Sequence, residues 1–186
     1  MLEIQFLPFK NIETSRLLLR RITTADVSEI LALRGNPGIM EFIPRPLATS
    51  AADALGQIAM IEDKIQKNEG INWAITLKPD SKLIGLIGHY RIQPQNYRAE
   101  IGYMILPEFE NKGIIPEAIK EVVKYGFKEM NLHSIEAVID PRNLKSARVL
   151  EKNGFVKEAH LLENEYYDGE FYDSAIYSLL KRNFTD

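Results

Sequence analysis

The segment Pro107-Glu108-Phe109-Glu110-Asn111-Lys112-Gly113 ends a run of strand-like residues and opens onto a helix. Such a junction can bind an anion. The first turn of a helix has backbone N–H groups with no partner inside the helix, and the aligned peptide dipoles add partial positive charge there. Here the donors are the amides of Lys112, Gly113, Ile114 and Ile115, with the Lys112 ammonium beside them. One glycine in a loop is weak support by itself, because a plain loop leading into an amphipathic helix reads the same way. Asn143 and, one helical turn later, Ser146 also carry usable groups, although Asn is a common helix cap and Ser146 reads equally as an ordinary helix serine. Glu100 lies on a strand. Glu165 belongs to the acidic stretch Glu163-Asn164-Glu165, where solvated charge is the rival reading.

What the chain lacks narrows the chemistry further. It has no cysteine, which removes disulfides, zinc–cysteine sites and a thiol nucleophile. His89, His133 and His160 are far apart and have no metal-ligand spacing, so no metal is expected. No Gly-x-Ser-x-Gly elbow is present for an acyl-serine mechanism. An enzyme built from these residues moves a group directly between two bound molecules. The net charge of −3 gives no global basic field for nucleic acid. Met1 to Lys10 is too short, and too interrupted by Glu3 and Pro8, for a signal peptide. No stretch approaches the roughly 18 apolar residues that span a bilayer. No membrane association and a cytoplasmic location are the expectations. With 45% hydrophobic and 26% charged residues, the 186-residue chain fits one globular domain over residues 1–186.

The elements that must position these groups follow from periodicity. Leu17–Arg21 reads as a strand, and Thr24 as the cap of a helix that Asn36-Pro37-Gly38 ends. A second helix is expected from Thr49 to Lys67, with Ala51, Leu55, Ile58, Ile61 and Ile65 as its apolar stripe. Strands then follow at Trp73–Leu77, Lys82–Ile92 and Arg98–Leu106, joined by short polar turns, which predicts an antiparallel meander. Ala118, Ile119, Val122, Val123, Phe127 and Met130 recur at helical spacing after Pro116. A strand at Ser134–Ile139, a short helix ended by Asn153-Gly154 and two strands in Phe155–Lys181 complete a mixed α/β (α+β) fold with a largely antiparallel sheet.

Set in order, these motifs resemble the GNAT acetyltransferase superfamily, and within it the branch of ribosomal-protein N-terminal acetyltransferases. The resemblance is carried by Thr14-Ser15-Arg16-Leu17-Leu18-Leu19-Arg20 with Asp26, by Ala99-Glu100-Ile101-Gly102-Tyr103, and by Lys112-Gly113-Ile114-Ile115-Pro116-Glu117-Ala118. It continues through Asn143 to Phe155 and from Asp168-Gly169-Glu170 to Leu180, so it covers about Thr14 to Leu180. It implies a twisted sheet flanked by helices, acetyl-CoA as co-substrate, and transfer of its acetyl group to an amine. It further implies pantetheine held by the backbone of Met104 and Ile105 and by Asn143, and phosphates held by Lys112, Gly113, Ile114 and Ile115. Ser146 is then the acid near the sulfur, and Glu165 the general base with Glu100 as second candidate. A homodimer is common in the branch. Two positions depart from the superfamily loop pattern: Glu110 replaces a Gln or Arg, and Ile115 replaces a Gly or Ala. A Glu110 carboxylate beside a pyrophosphate is repulsive unless it turns away. Lys145, Arg148 and Lys152 are either phosphate contacts or a solvated basic face, and Trp73, His89, Tyr90 and Tyr103 either line an acceptor groove or belong to the core.

The resemblance leaves the acceptor open. A protein N-terminal amine leads; a polyamine or antibiotic amine is the small-molecule alternative. A CoA-binding domain without catalysis is the reading from another class, and Glu110 is the residue that favours it.

Overall fold

Leu17 and Leu19 are buried while Leu18 and Arg20 stay half-exposed, the alternation of a strand with one face on a core. A computed structural model describes residues 2–185, so Met1 and Asp186 lie outside it, Met1 being the first residue of the stretch weighed as a leader. Eight strands form one sheet: β1 Ile12–Glu13, β2 Leu17–Arg20, β3 Ile71–Leu77, β4 Leu83–Gln93, β5 Arg98–Ile105, β6 Ser134–Ile139, β7 Val156–Tyr167 and β8 Glu170–Leu180. Their order is β1-β2-β3-β4-β5-β6-β8-β7. The expected meander is β3-β4-β5, and among the described residues only the β5–β6 pair is parallel. Five helices join them: α1 Val27–Arg34, α2 Pro37–Met40, α3 Ala51–Gln66, α4 Ile114–Lys128 and α5 Leu144–Lys152.

Successive residues of β4 show how the helices divide between the two faces. The His89 ring meets the Val122 carbonyl of α4 at 3.0 Å. Its neighbour Tyr90, which must point the other way, feels the charge of Arg34 on α1. Tyr103, in register with Ile87 on the His89 face, bonds Ser146 of α5. So α4 and α5 cover one face, and α1 with α3 the other.

Three local expectations change. The turn before α1 is capped by Thr23 rather than Thr24, because the Asp26 carboxylate reaches back to the Thr23 N–H at 2.8 Å. Arg20 also holds Asp26, at 2.5 Å. Asn36-Pro37-Gly38 does not simply end a helix; the Asn36 side chain accepts from Gly38 and Ile39 and starts α2. On α3, Ala51 and Leu55 are exposed and Ala54 leads the buried stripe with Ile58, Ile61 and Ile65. The capping box of Ser50 and Asp53 fixes where that helix begins, while at 3.6 residues per turn Ala51 and Leu55 fall to one side of the stripe that Ala54, Ile58, Ile61 and Ile65 make. The α4 stripe is buried as expected, and Trp73 is core, its Nε1–H donating to the Lys10 carbonyl at 2.9 Å.

His89 is wholly buried, and its Nδ1 has no partner among the described residues. Burial pulls its pKa from 6.5 down to about 4, against the opposing pull of the Val122 carbonyl. The unfolded chain therefore takes up this proton first as pH falls. Stability from the neutral ring is complete above pH 6.5 and is lost towards pH 4, by about 3 kcal/mol in all. Denaturant titrations across that range will show wild type losing more stability on acidification than His89→Gln; equal losses would remove His89 as the cause.

Candidate functional site

Three registered pairs join β5 to β6, ending at Glu100 opposite Glu136. Beyond them β5 runs on to Ile105 and β6 to Ile139 without pairing, so the two parallel strands part at their C-terminal ends. Backbone groups of β5 that face away from β4, in the stretch containing Met104 and Ile105, have no strand to satisfy them. A crevice at the carboxyl ends of parted parallel strands is a natural place for a ligand.

The loop of Pro107 to Gly113 closes the open end. Asn111 and Gly113 both have left-handed backbones, φ 58° and 72°. Left-handed residues of this kind are a component of the backbone nests that bind anions. The amides of Lys112, Gly113, Ile114 and Ile115 have no backbone acceptor among the described residues. The Ile114 and Ile115 side chains are buried in the core, so the large residue at position 115 takes nothing from the loop but leaves its N–H. Glu110 is drawn off by Lys145, at 2.8 Å. Arg16 braces the turn: it donates to the Lys112 carbonyl at 3.2 Å and the Gly113 carbonyl at 3.4 Å, and pairs with Glu117 at 2.5 Å. Sequence reasoning placed Arg16 in a strand motif and missed this role; its only local signal is a cation just ahead of β2.

On the far wall, Asn143 caps α5 by accepting from the Ser146 N–H at 3.0 Å. Capping holds the asparagine where β6 ends. The Ser146 hydroxyl lies 2.8 Å from the Tyr103 hydroxyl of β5, across the crevice from its own helix. Burial pushes the Tyr103 phenol up to about 12, so it stays protonated at neutral pH. Lys145, Arg148 and Lys152 are exposed, Lys145 being the one that takes Glu110.

The other face of the sheet holds a cavity of about 300 Å³ between the segment after α2 and the β7–β8 hairpin. Its charged lining is Glu41, Arg45, Asp140, Glu165 and Asp173. Asp140 pairs with Arg142 at 2.6 Å and Asp173 with His160 at 2.8 Å. Glu165 has no salt-bridge partner among the described residues. Its placement depends on a bulge: from Leu161 to Glu165 β7 takes four steps while β8 takes two, Ser174 to Tyr172. Glu163 sits in that bulge at φ 49°, its N–H bonded to Asp173 at 2.9 Å. The two extra residues keep the in-and-out alternation but shift the register, so that Glu165 stands opposite Tyr172, and both line the cavity.

Glu100 stands at the apex of the crevice, its side chain 15% exposed and paired with Arg91 at 3.0 Å. Burial raises its pKa, Arg91 lowers it, and the charges of Glu136 and Glu165 raise it further. Next to it on β4, burial pushes the Tyr90 phenol up to about 12, and Tyr90 is hydrogen-bonded by Asn72. The fold thus brings Glu100 and Glu165 together on one side of the crevice, and the loop amides, Asn143 and Ser146 on the other. His89 belongs to the core and not to this groove.

The architecture and sequence have clear relatives. Residues 16–156 match the family model of the acetyltransferase (GNAT) domain. The uncharacterized N-acetyltransferase YoaA of Bacillus subtilis (strain 168) is 37% identical over 173 residues, 93% of this chain and 98% of that protein. The crystal structure of spermidine N-acetyltransferase from Vibrio cholerae, in complex with CoA and spermine, superposes with a TM-score of 0.80 at 28% identity, covering 91% of this chain and 98% of that one. The ribosomal-protein-S5-alanine acetyltransferase of Vibrio fischeri superposes at 0.81 over 95% of this chain and 100% of that one; at 24% identity this likeness speaks to the fold. No helix among the described residues is long and apolar enough to cross a membrane. With the sheet, the crevice and these matches in hand, the chain belongs to the GNAT family of N-acetyltransferases.

Proposed function

We propose that the chain transfers the acetyl group of acetyl-CoA to a primary amine held in the Glu165 cavity, with a protein N-terminal amine as acceptor and the cytoplasm as its setting. The observation that carries this reading is the crevice between β5 and β6, which joins a loop of unpaired amides on one side to a carboxylate-lined cavity on the other. Acetyl-CoA fits the residues present. Lys112, Gly113, Ile114 and Ile115 would hold its phosphates, while Met104, Ile105 and Asn143 would hold the pantetheine arm. When bound it supplies an activated acyl thioester.

The chain's own residues do the rest. An attacking amine must be neutral, and Glu165, unpaired on the cavity wall, is placed to take its proton. Glu100 is already engaged by Arg91, which makes it the second candidate. Tyr103, kept protonated, can donate to the Ser146 oxygen, which leaves the Ser146 hydrogen free for the departing sulfur. Glu110, the residue that favoured a non-catalytic domain, is turned towards Lys145.

Mixing the purified chain with acetyl-CoA and a panel of amines tests the transfer. Free CoA thiol is expected only when an amine is present, with acetylated amine in equal amount by mass spectrometry. Thiol release without any amine, or none with every amine, contradicts the proposal.

A further inference from the structure

Two arginines beside the cavity have no counter-ion among the described residues. Arg45 lies on the cavity wall in the segment after α2, and Arg34, the last residue of α1, is half-buried close enough to feel its charge. Among the described residues neither guanidinium has a hydrogen-bond or salt-bridge partner. Six other arginines are paired: Arg16 with Glu117, Arg20 with Asp26, Arg21 with Glu62, Arg91 with Glu100, Arg98 with Glu136 and Arg142 with Asp140. Arg148 and Arg182, which have no ion pair among the described residues, lie away from this cavity's lining. Burial and the Arg45 charge together pull the Arg34 pKa down. Two like charges within electrostatic reach, one of them half-buried, repel each other, and an anion between them relieves that repulsion. Each guanidinium also offers a planar fork of donors that matches a carboxylate or phosphate.

The acids of the cavity complete the picture. Asp140 is paired with Arg142, and Asp173 is hydrogen-bonded by His160 and by the Glu163 N–H, whereas Glu41 and Glu165 have no ion pair among the described residues. The unpaired lining is therefore two carboxylates, with two guanidiniums at and beside the wall. A polycation would satisfy the first pair and be repelled by the second.

We propose that Arg34 and Arg45 form a subsite for an anionic group, a carboxylate or phosphate, carried by the acceptor near the amine that is acetylated. The inference rests on the reading that this cavity receives the acceptor. It makes the acceptor zwitterionic: either a peptide whose N-terminal amine is followed closely by an acidic side chain, or a free amino acid. The guanidiniums fix the anion, and through it the distance from the amine to Glu165. Charge-assisted pairs of this kind favour the charged acceptor over its neutral twin by about 10- to 100-fold.

Steady-state transfer by the full chain, read as CoA thiol release, tests it. The acceptors are the amidated tripeptides Ala-Asp-Ala and Ala-Asn-Ala, alanine against alaninamide, and spermidine. Wild type is expected to favour the charged member of at least one pair by tenfold or more in kcat/KM, and the pair that responds identifies the source of the anion. Arg45→Gln, at an exposed position that does not endanger folding, should erase that preference by raising KM for the charged acceptor. KM for the neutral one should stay within twofold. Arg45→Glu should move the preference towards spermidine. Equal use of charged and neutral twins by wild type, a preference that survives Arg45→Gln, or spermidine as the best wild-type substrate would each overturn the subsite while leaving acetyl transfer standing. No turnover of any acceptor would remove the transfer reading, and the subsite with it.

Discussion

Glu165→Gln is expected to lower kcat about 100-fold or more while the thermal shift produced by acetyl-CoA stays that of wild type. Glutamine keeps the size of the side chain and its place on the cavity wall but cannot accept a proton. With the base gone, the only reactive amine is the small fraction that is neutral in solution. The deficit should therefore shrink as pH rises towards the amine's own pKa, which a packing defect would not do. Measuring kcat for both proteins from pH 6 to 10 checks this. Near-wild-type turnover across the range would transfer the role to Glu100, whose buried carboxyl has the raised pKa a base needs but is held by Arg91. Glu100→Gln, run in parallel, separates the two.

The second large effect is on binding. A ligand that binds only the folded chain stabilises it by about 2.7 kcal/mol at 100 times its Kd. For a chain of this size that is a rise in Tm of about 5–10 °C. Acetyl-CoA is expected to give such a shift, and pantetheine, which lacks the phosphates, to give little. Gly113→Asp should abolish it, because a carboxylate enters where the backbone must approach phosphate. Gly113 has φ 72°, so any side chain there is strained; Asn and Asp tolerate that region comparably, which makes Gly113→Asn the matched control. The nearest atom a Cβ would meet is an Arg16 nitrogen at 3.6 Å, so both variants have room to fold. The Asn variant should keep part of the shift and the Asp variant none. A full shift in Gly113→Asp would move the phosphate site elsewhere, and no shift in folded wild type would undo the cofactor loop altogether.

Much of the scaffold was legible because its signals are local. Period two in Leu17–Arg20, the spacing of Ala118 to Met130, and the proline and glycine at either end of a turn depend only on neighbours in the chain. The loop at Lys112–Ile115 was readable for the same reason, since free amides follow from any strand that turns into a helix. Where local reading slipped, as with Ala51 and Leu55, packing of the isoleucine stripe decided which edge of the helix faces the core.

The sequence by itself determined most element types, the meander, the loop of free amides and the lack of a cysteine nucleophile. Only the tertiary structure decided which carboxylate is free. Glu100 and Glu165 look alike in the chain, yet Arg91 across the β4–β5 turn claims one and the β7 bulge aims the other at a cavity. The bulge is bonded to Asp173, ten residues from Glu163 and on another strand. The same holds for Arg16, which reaches 101 residues along the chain to Glu117, and for Arg34 and Arg45, whose lack of partners is invisible until every nearby acid has been placed. Charges pair in space, so their partners are settled by register and packing between distant segments, which no local pattern encodes.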